Sequence, residues 1–169
     1  MSITKKRDLI ITVFGVLFVL YLLFQGGLIG YRIYLPRDTE ASGWIGNIEY
    51  KINVSVVEED SWNYLRVIHT IKNHGRETYG KSMGWGPFSL RVYTMNGWEM
   101  QRLEPRTRLL TIIELSLKPG EEYVFEYNTE RFRVLVPGAF TITGVWTTVD
   151  GYELETSKIR INTSYCLCR

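Results

Sequence analysis

One segment of the sequence matches the pattern of a phosphate-binding loop. Residues 75–82 read GRETYGKS, which fits G-x-x-x-x-G-K-[ST]. That chemistry needs a helix directly after the loop, because the amides of the first helical turn hold the phosphates. Residues 83–87 instead read MGWGP, and two glycines and a proline disfavour a helix. We therefore predict a glycine-rich loop between strands with a solvated Lys81, and neither a nucleotide nor another cofactor.

The two histidines and the acidic clusters offer no recognisable catalytic set. His69 falls among apolar residues on one face of a predicted strand, which favours a core position, and His74 lies in an Asn-His-Gly turn. The acidic runs at 58–60 and 121–122 do not have the spacing of a calcium loop and are expected at turn tips. Because no triad or zinc-site pattern is present, the sequence predicts no catalytic residue, no metal site and no enzyme.

Four side chains are candidates for covalent modification. Cys166 and Cys168 are the only cysteines and form a candidate thiol pair, although a bridge across one intervening residue would be strained. Outside the cytoplasm they could link two chains or accept another ligand. A C-terminal tail without a role is an equally open alternative. Asn53 and Asn162 each begin an N-x-[ST] triplet, the acceptor pattern for N-glycosylation in an exported domain.

The tryptophans indicate a surface for a partner. The sequence has 5 Trp, too many for all of them to be central in a small core. Trp85 lies between glycines in a predicted loop, so Met83, Trp85 and Pro87 are candidate contacts with a protein partner. The alternative is that Trp85 folds back over the end of the domain.

Residues 9–31 contain no charged side chain and resemble a membrane span. A helix of this length reaches roughly 35 Å, enough for a hydrocarbon core of about 30 Å. Basic residues at 5–7 favour a cytoplasmic segment 1–8 and an extracytoplasmic remainder, with the bilayer as one partner. A cleaved signal peptide is the alternative, but the apolar run is long, and the nearest cleavage candidate, Thr39-Glu40-Ala41, comes late.

The rest of the chain has the period-two pattern of β-strands. Ile48, Tyr50, Ile52 and Val54 alternate with polar residues, and similar runs follow at intervals of 8–12 residues. Asn-Gly, Pro-Gly and Asp-Gly turns separate them. We predict an all-β antiparallel sandwich of seven to eight strands at 47–162, with a linker at 32–46 and a tail at 163–169.

The overall charge conceals a division between these parts. Lys+Arg 20 against Asp+Glu 18 gives a net charge of +2. Residues 1–37 hold five basic side chains and one acidic side chain, so the remaining 132 residues carry a net charge of −2. A mildly acidic domain gives no argument for nucleic acid as a partner.

From Leu65 to about Ile161 the chain resembles the BsuPI-type intracellular proteinase inhibitor family. The segments that carry the resemblance are LRVIHTIKNHGRETY, FSLRVYTMNGWEMQR, LSLKPGEEYVFEYN and VPGAFTITGVWTT, in the family's order. Phe140 stands where the family has tyrosine. The resemblance implies an immunoglobulin-like sandwich and a protease as partner, although no inhibitory loop motif can be transferred and the apolar N-terminal segment is a departure.

The sequence therefore favours a membrane-anchored binding module outside the cytoplasm. An alternative is a structural or accessory subunit of an envelope complex that associates partly through its helix. Gly15, Gly26, Gly27 and Gly30 would allow close helix packing there, although no G-x-x-x-G motif is present.

Overall fold

A computed structural model describes residues 3–25, 29–36, 39–59, 62–84, 86–106, 112–130 and 137–167. These residues form one helix followed by twelve strands. The elements are α1 Ile3–Gln25, β1 Ile29–Tyr34, β2 Glu40–Ile45, β3 Ile48–Glu59, β4 Trp62–Asn73, β5 Tyr79–Met83, β6 Phe88–Thr94, β7 Glu99–Leu103, β8 Ile113–Leu117, β9 Glu122–Asn128, β10 Ala139–Thr147, β11 Glu153–Glu155 and β12 Ile159–Leu167.

The helix α1 differs in its bounds from the predicted span 9–31. It begins at Ile3 and ends at Gln25, and residues 29–31 are already strand. Its described apolar side chains between Leu9 and Leu22 are exposed around the helix. In the part of the chain that the structure describes, no helix has both the length and the apolarity for crossing a membrane.

The predicted all-β antiparallel sandwich is confirmed, but the predicted number of seven to eight strands is wrong, because the described residues form twelve. One sheet has the order β1-β12-β10-β6-β7, with β11 also pairing with β10, and the other has the order β2-β3-β4-β9. The short strands β5 and β8 form a separate pair. All of the pairings between the named strands are antiparallel.

The core follows the predicted alternation along the strands. On β3 and β4 every second side chain is buried, as a period of two requires: Ile48, Tyr50, Ile52, Val54, Leu65, Val67, His69 and Ile71. Phe88, Leu90, Val92, Ile142 and Trp146 face them from the other sheet. The sheets approach closely at Gly144, where a Cβ would lie 2.3 Å from Ile52 Cγ2 and 2.8 Å from the Tyr50 hydroxyl.

The domain boundaries extend beyond those predicted from the sequence. The predicted linker 32–46 contains the end of β1 and all of β2, and the predicted tail contains the end of β12. The physical reason is long-range pairing, because β1 and β12 bond to each other from Ile29↔Leu167 to Tyr34↔Asn162. The sequence between 153 and 167 is also divided into two strands, β11 and β12.

Candidate partner-binding surface

The strand register defines the two ends of the sandwich. Tyr34 of β1 pairs with Asn162 of β12, which also pairs with Ala139 of β10. β1 and β12 continue beyond this level, so α1 joins the sandwich here, at what we call the proximal end. At the opposite, distal end of this sheet, Trp146 pairs with Phe88.

An open groove lies at the distal end. Its volume is about 550 Å³, within the range of ligand sites in proteins. The lining comes from the β2–β3 turn and from the loop after β4: Ile45, Asn47, Ile48 and residues 73–79. Tyr79 connects the groove to the core, since its ring centroid is 6.2 Å from that of Trp146.

Asn73 holds the loop of the groove in place. Its buried side-chain nitrogen donates to the carbonyl oxygens of Glu77, at 2.7 Å, and Leu117, at 2.9 Å. Its side-chain oxygen accepts from the backbone nitrogen of Gly75 at 2.8 Å. A buried amide with every donor engaged is costly to displace, so the loop has a defined shape.

One rim of the groove carries an aromatic residue beside a hydrogen-bonded histidine and glutamate. His74 Nε2 lies 2.9 Å from Glu49 Oε2, on the neighbouring strand β3. The ring of Trp44 is 5.1 Å from that of His74, and the Trp44 side chain is 53% exposed. Arg76, on the loop itself, is exposed.

The other side of the distal end is formed by the β10–β11 turn. Asp150 Oδ2 lies 2.9 Å from Lys81 Nζ, and Asp150 Oδ1 accepts a hydrogen bond from the hydroxyl of Thr148. The Thr148 hydroxyl and the Lys81 ammonium lower the pKa of Asp150 to about 2. Val149 and Tyr152 flank the turn and are 55% and 46% exposed.

These two rims belong to one surface. Strand β5 connects them, because Tyr79 lines the groove, Lys81 pairs with Asp150 of the turn, and the backbone nitrogen of Val149 donates to the carbonyl oxygen of Ser82 at 3.1 Å. We call the set Trp44, Arg76, Tyr79, Val149 and Tyr152 the distal surface. It combines exposed aromatic side chains with an arginine beside a concave site, the composition of protein-binding hot spots.

The contact residues predicted from the sequence occupy different positions. Met83 is fully buried and Pro87 is also buried, which corrects the expectation that they contact a partner. Met83 is the last residue of β5, and its side chain is part of the core. Trp85 lies outside the described residues. Trp44 was missed because a single aromatic residue in a short edge strand has no distinctive sequence pattern.

The segment that matches a phosphate-binding loop has another structure. Residues 75–78 form a loop, and β5 follows where a phosphate site requires a helix. Lys81 pairs with Asp150 rather than being freely solvated, and the hydroxyl of Ser82 donates to Glu114 at 2.8 Å. The side chains of Lys81 and Ser82 therefore each contact a carboxylate.

His69 is in the core, as predicted, and only one of its ring nitrogens has a partner. Nδ1 is hydrogen-bonded to the Tyr50 hydroxyl at 2.6 Å, while Nε2 is buried without one. The ring lies between Phe88 and Tyr127, at centroid distances of 4.8 and 5.2 Å. Burial lowers the pKa of His69 to about 3.

The candidates for modification and metal binding lie elsewhere. Asn53 is half-buried within β3 and donates to Glu40 at 3.1 Å, whereas Asn162 is exposed on β12. Cys166 is half-buried on β12, and Cys168 lies outside the described residues. Among the described residues, no group of three His, Cys, Asp or Glu is placed to hold a metal.

Comparisons with known proteins give no family. No family model matches the chain, and no curated protein matches it. A β-glucuronidase from Bacteroides uniformis is similar with 16% identity and a TM-score of 0.37, over 78% of this chain and 12% of that chain. A DUF1425 family member from Shewanella sp. pv-4 is similar with 11% identity and a TM-score of 0.27, over 82% of this chain and 97% of that one. The chain therefore spans only a small part of the β-glucuronidase.

Proposed function

We propose that this protein is a membrane-anchored binding module, which presents an immunoglobulin-like sandwich to a protein partner outside the cytoplasm. The observation that carries the proposal is the distal surface. It is concave and aromatic, and it lies at the end of the sandwich opposite the junction with α1. The proposal for the distal surface is binding and includes no catalytic reaction.

The proposal that α1 enters a membrane rests on its exposed side chains. Between Leu9 and Leu22, twelve large apolar side chains are each about half exposed. Fully burying one such side chain contributes about 1.5–3 kcal/mol, and about half of each is already covered, so leaving the remainder of all twelve in water costs on the order of 10 kcal/mol. The charge-free helical stretch from Leu9 to Gln25 is about 26 Å long, at the short end for a bilayer.

The orientation follows from the position of the positive charges. Lys5, Lys6 and Arg7 precede the apolar stretch, which favours a cytoplasmic N-terminus. The sandwich then lies outside the cytoplasm. Strand β3 has twelve residues and is therefore about 40 Å long. The distal surface then lies about 40 Å from the proximal end and outside the bilayer.

Capture of a partner from native membranes tests the proposal. The full chain is solubilised in mild detergent and purified by affinity, either unchanged or with Trp44→Ala and Tyr152→Ala together. We expect a stoichiometric protein to accompany the unchanged chain and to be lost with the double variant. Trp98→Ala is the matched control, because Trp98 is exposed in the β6–β7 turn, away from the distal surface. Equal recovery from the double variant would refute the assignment of this surface.

The resemblance to the BsuPI-type family suggests a protease as the class of partner. A protease that copurifies with the chain would be assayed with and without it, and inhibition weakened by Trp44→Ala would support this class. If the protease keeps its full activity at a saturating concentration of the chain, this class of partner is excluded.

A structural or accessory subunit of an envelope complex is a second candidate. It is favoured by the exposure of apolar side chains around α1 and by Gly15, which leaves open space beside the helix. Gly15→Leu would then dissociate the complex in native electrophoresis while leaving the distal surface unchanged. A partner lost with the Trp44 and Tyr152 variant but retained with Gly15→Leu favours the binding module.

A further inference from the structure

The first and last strands bring the C-terminal segment back to the end of α1. Only three residues separate Gln25 from Ile29, so these two Cα atoms are at most about 14 Å apart. Ile29 pairs with Leu167, and Tyr31 pairs with Tyr165. We call residues 29–34 and 162–167 the proximal ribbon.

The proximal ribbon belongs to the sandwich and is not a flexible tether. Ile33 is buried in the core, and β12 also pairs with β10. Arg32 lies 3.8 Å from Glu58 in the opposite sheet. A segment paired on one side and packed through its centre moves with the domain, so the position of the ribbon relative to α1 sets the position of the whole sandwich.

The side chains at the surface of the ribbon suit the interface of a bilayer. Tyr165 is 55% exposed. Arg32 is near the same level on the opposite face of the ribbon, and its side chain is 59% exposed beside Glu58. Tyrosine is enriched at membrane–water interfaces, where its ring contacts the acyl boundary and its hydroxyl remains hydrated. Arginine pairs favourably with lipid phosphates.

We propose that the proximal ribbon is a second membrane contact, in which Tyr165 and Arg32 lie in the headgroup layer of the bilayer that α1 enters. The proposal rests on the proposed function of α1. The polar layer on each side of a bilayer is about 5–8 Å thick, and the short connection from Gln25 keeps the start of the ribbon within reach of it. The C-terminal strand is therefore held at the membrane, and the domain has a fixed orientation with its distal surface outward.

Spin-label depth measurements test the proposal on the full chain. Cys166 and Cys168 are replaced by serine, and single cysteines are introduced by Tyr165→Cys, Arg32→Cys, Thr78→Cys or Leu17→Cys. Each labelled protein is reconstituted into phosphatidylcholine–phosphatidylglycerol vesicles. The ratio of oxygen to nickel-chelate accessibility then reports depth at both strands of the ribbon, at the groove loop and within α1.

The depth series distinguishes the two proposals. We expect the highest ratio at position 17, the value of bulk water at position 78, and ratios at positions 165 and 32 several-fold above that at position 78. Ratios at 165 and 32 equal to that at 78, with position 17 in hydrocarbon, would overturn the ribbon contact and leave the anchor in place. An aqueous ratio at position 17 would overturn both.

Discussion

The buried His69 predicts that the sandwich loses stability in acid over a defined range. Its pKa falls from 6.5 to about 3 on folding because the ring is buried. Between these two values the unfolded chain binds a proton at His69 that the folded chain does not, so the free energy of unfolding falls as the pH falls. The contribution of neutral His69 to the free energy of unfolding is complete above pH 6.5 and decreases below it.

The size of this effect follows from the shift. Each pH unit between the two values removes up to about 1.4 kcal/mol, so the loss from pH 6.5 to pH 5 is about 2 kcal/mol from this one group. The loss down to pH 3 reaches about 5 kcal/mol, comparable to the whole stability of many domains. The ring contacts that His69 makes among the described residues are with the uncharged side chains of Tyr50, Phe88 and Tyr127.

The assay compares His69→Phe with the unchanged chain. Both full-length proteins are unfolded by urea in a nonionic detergent at several pH values from 4 to 8, and tryptophan fluorescence is recorded. His69→Phe leaves the Tyr50 hydroxyl without its partner, which costs about 1–3 kcal/mol at pH 7. The second variant carries His69→Phe and Tyr50→Phe together, so that the unpaired hydroxyl is also removed.

The slopes decide the outcome. Carboxylates such as Asp150 also destabilise the fold in acid, but they do so equally in all three proteins. We expect the free energy of unfolding to fall less steeply below pH 6.5 in both variants. The difference in slope corresponds to about one proton fewer bound on unfolding. Parallel curves for the three proteins between pH 4 and 6 would refute the assignment of a neutral, buried His69.

Three further substitutions, two of them with a matched control substitution, test the packing. Asn73→Ala removes three side-chain hydrogen bonds and is expected to cost about 3 kcal/mol in urea unfolding, whereas Asn53→Ala, with one exposed bond, should change stability by less than about 0.5 kcal/mol. Gly144→Ala places a methyl group against Ile52 and should cost about 1–3 kcal/mol; an unchanged melting temperature would contradict this close approach of the sheets. Trp146→Ala should cost about 3–5 kcal/mol and Trp98→Ala less than about 0.5 kcal/mol, because their exposed fractions are 1% and 76%; comparable losses would show that the core is misassigned.

The local features of the sandwich were predictable from the sequence. The alternation that buries Leu65, Val67 and Ile71 is a period-two pattern within a single strand. The Asn96-Gly97 turn was also predictable, since Gly97 has φ 84° and joins β6 to β7. Such features depend on neighbouring residues alone.

Long-range features were not predictable in the same way. β1 pairs with a strand about 130 residues later, and nothing within IGYRIY distinguishes a strand from the end of an apolar span. The exposure of loop residues depends on which elements cover them, so Met83 and Pro87 were expected at the surface although both are buried. The distal surface likewise assembles residues from β2, β5 and two separate turns.

Photo-crosslinking in intact cells tests the central claim most directly. A photoreactive amino acid replaces Trp44 in the distal surface or, as a control, Val124, which is equally exposed on the outer face of β9. A membrane-anchored binding module predicts a discrete crosslinked protein from position 44 that is absent from position 124. The same products from both positions, or none from position 44 when the chain is folded and membrane-bound, would contradict the account.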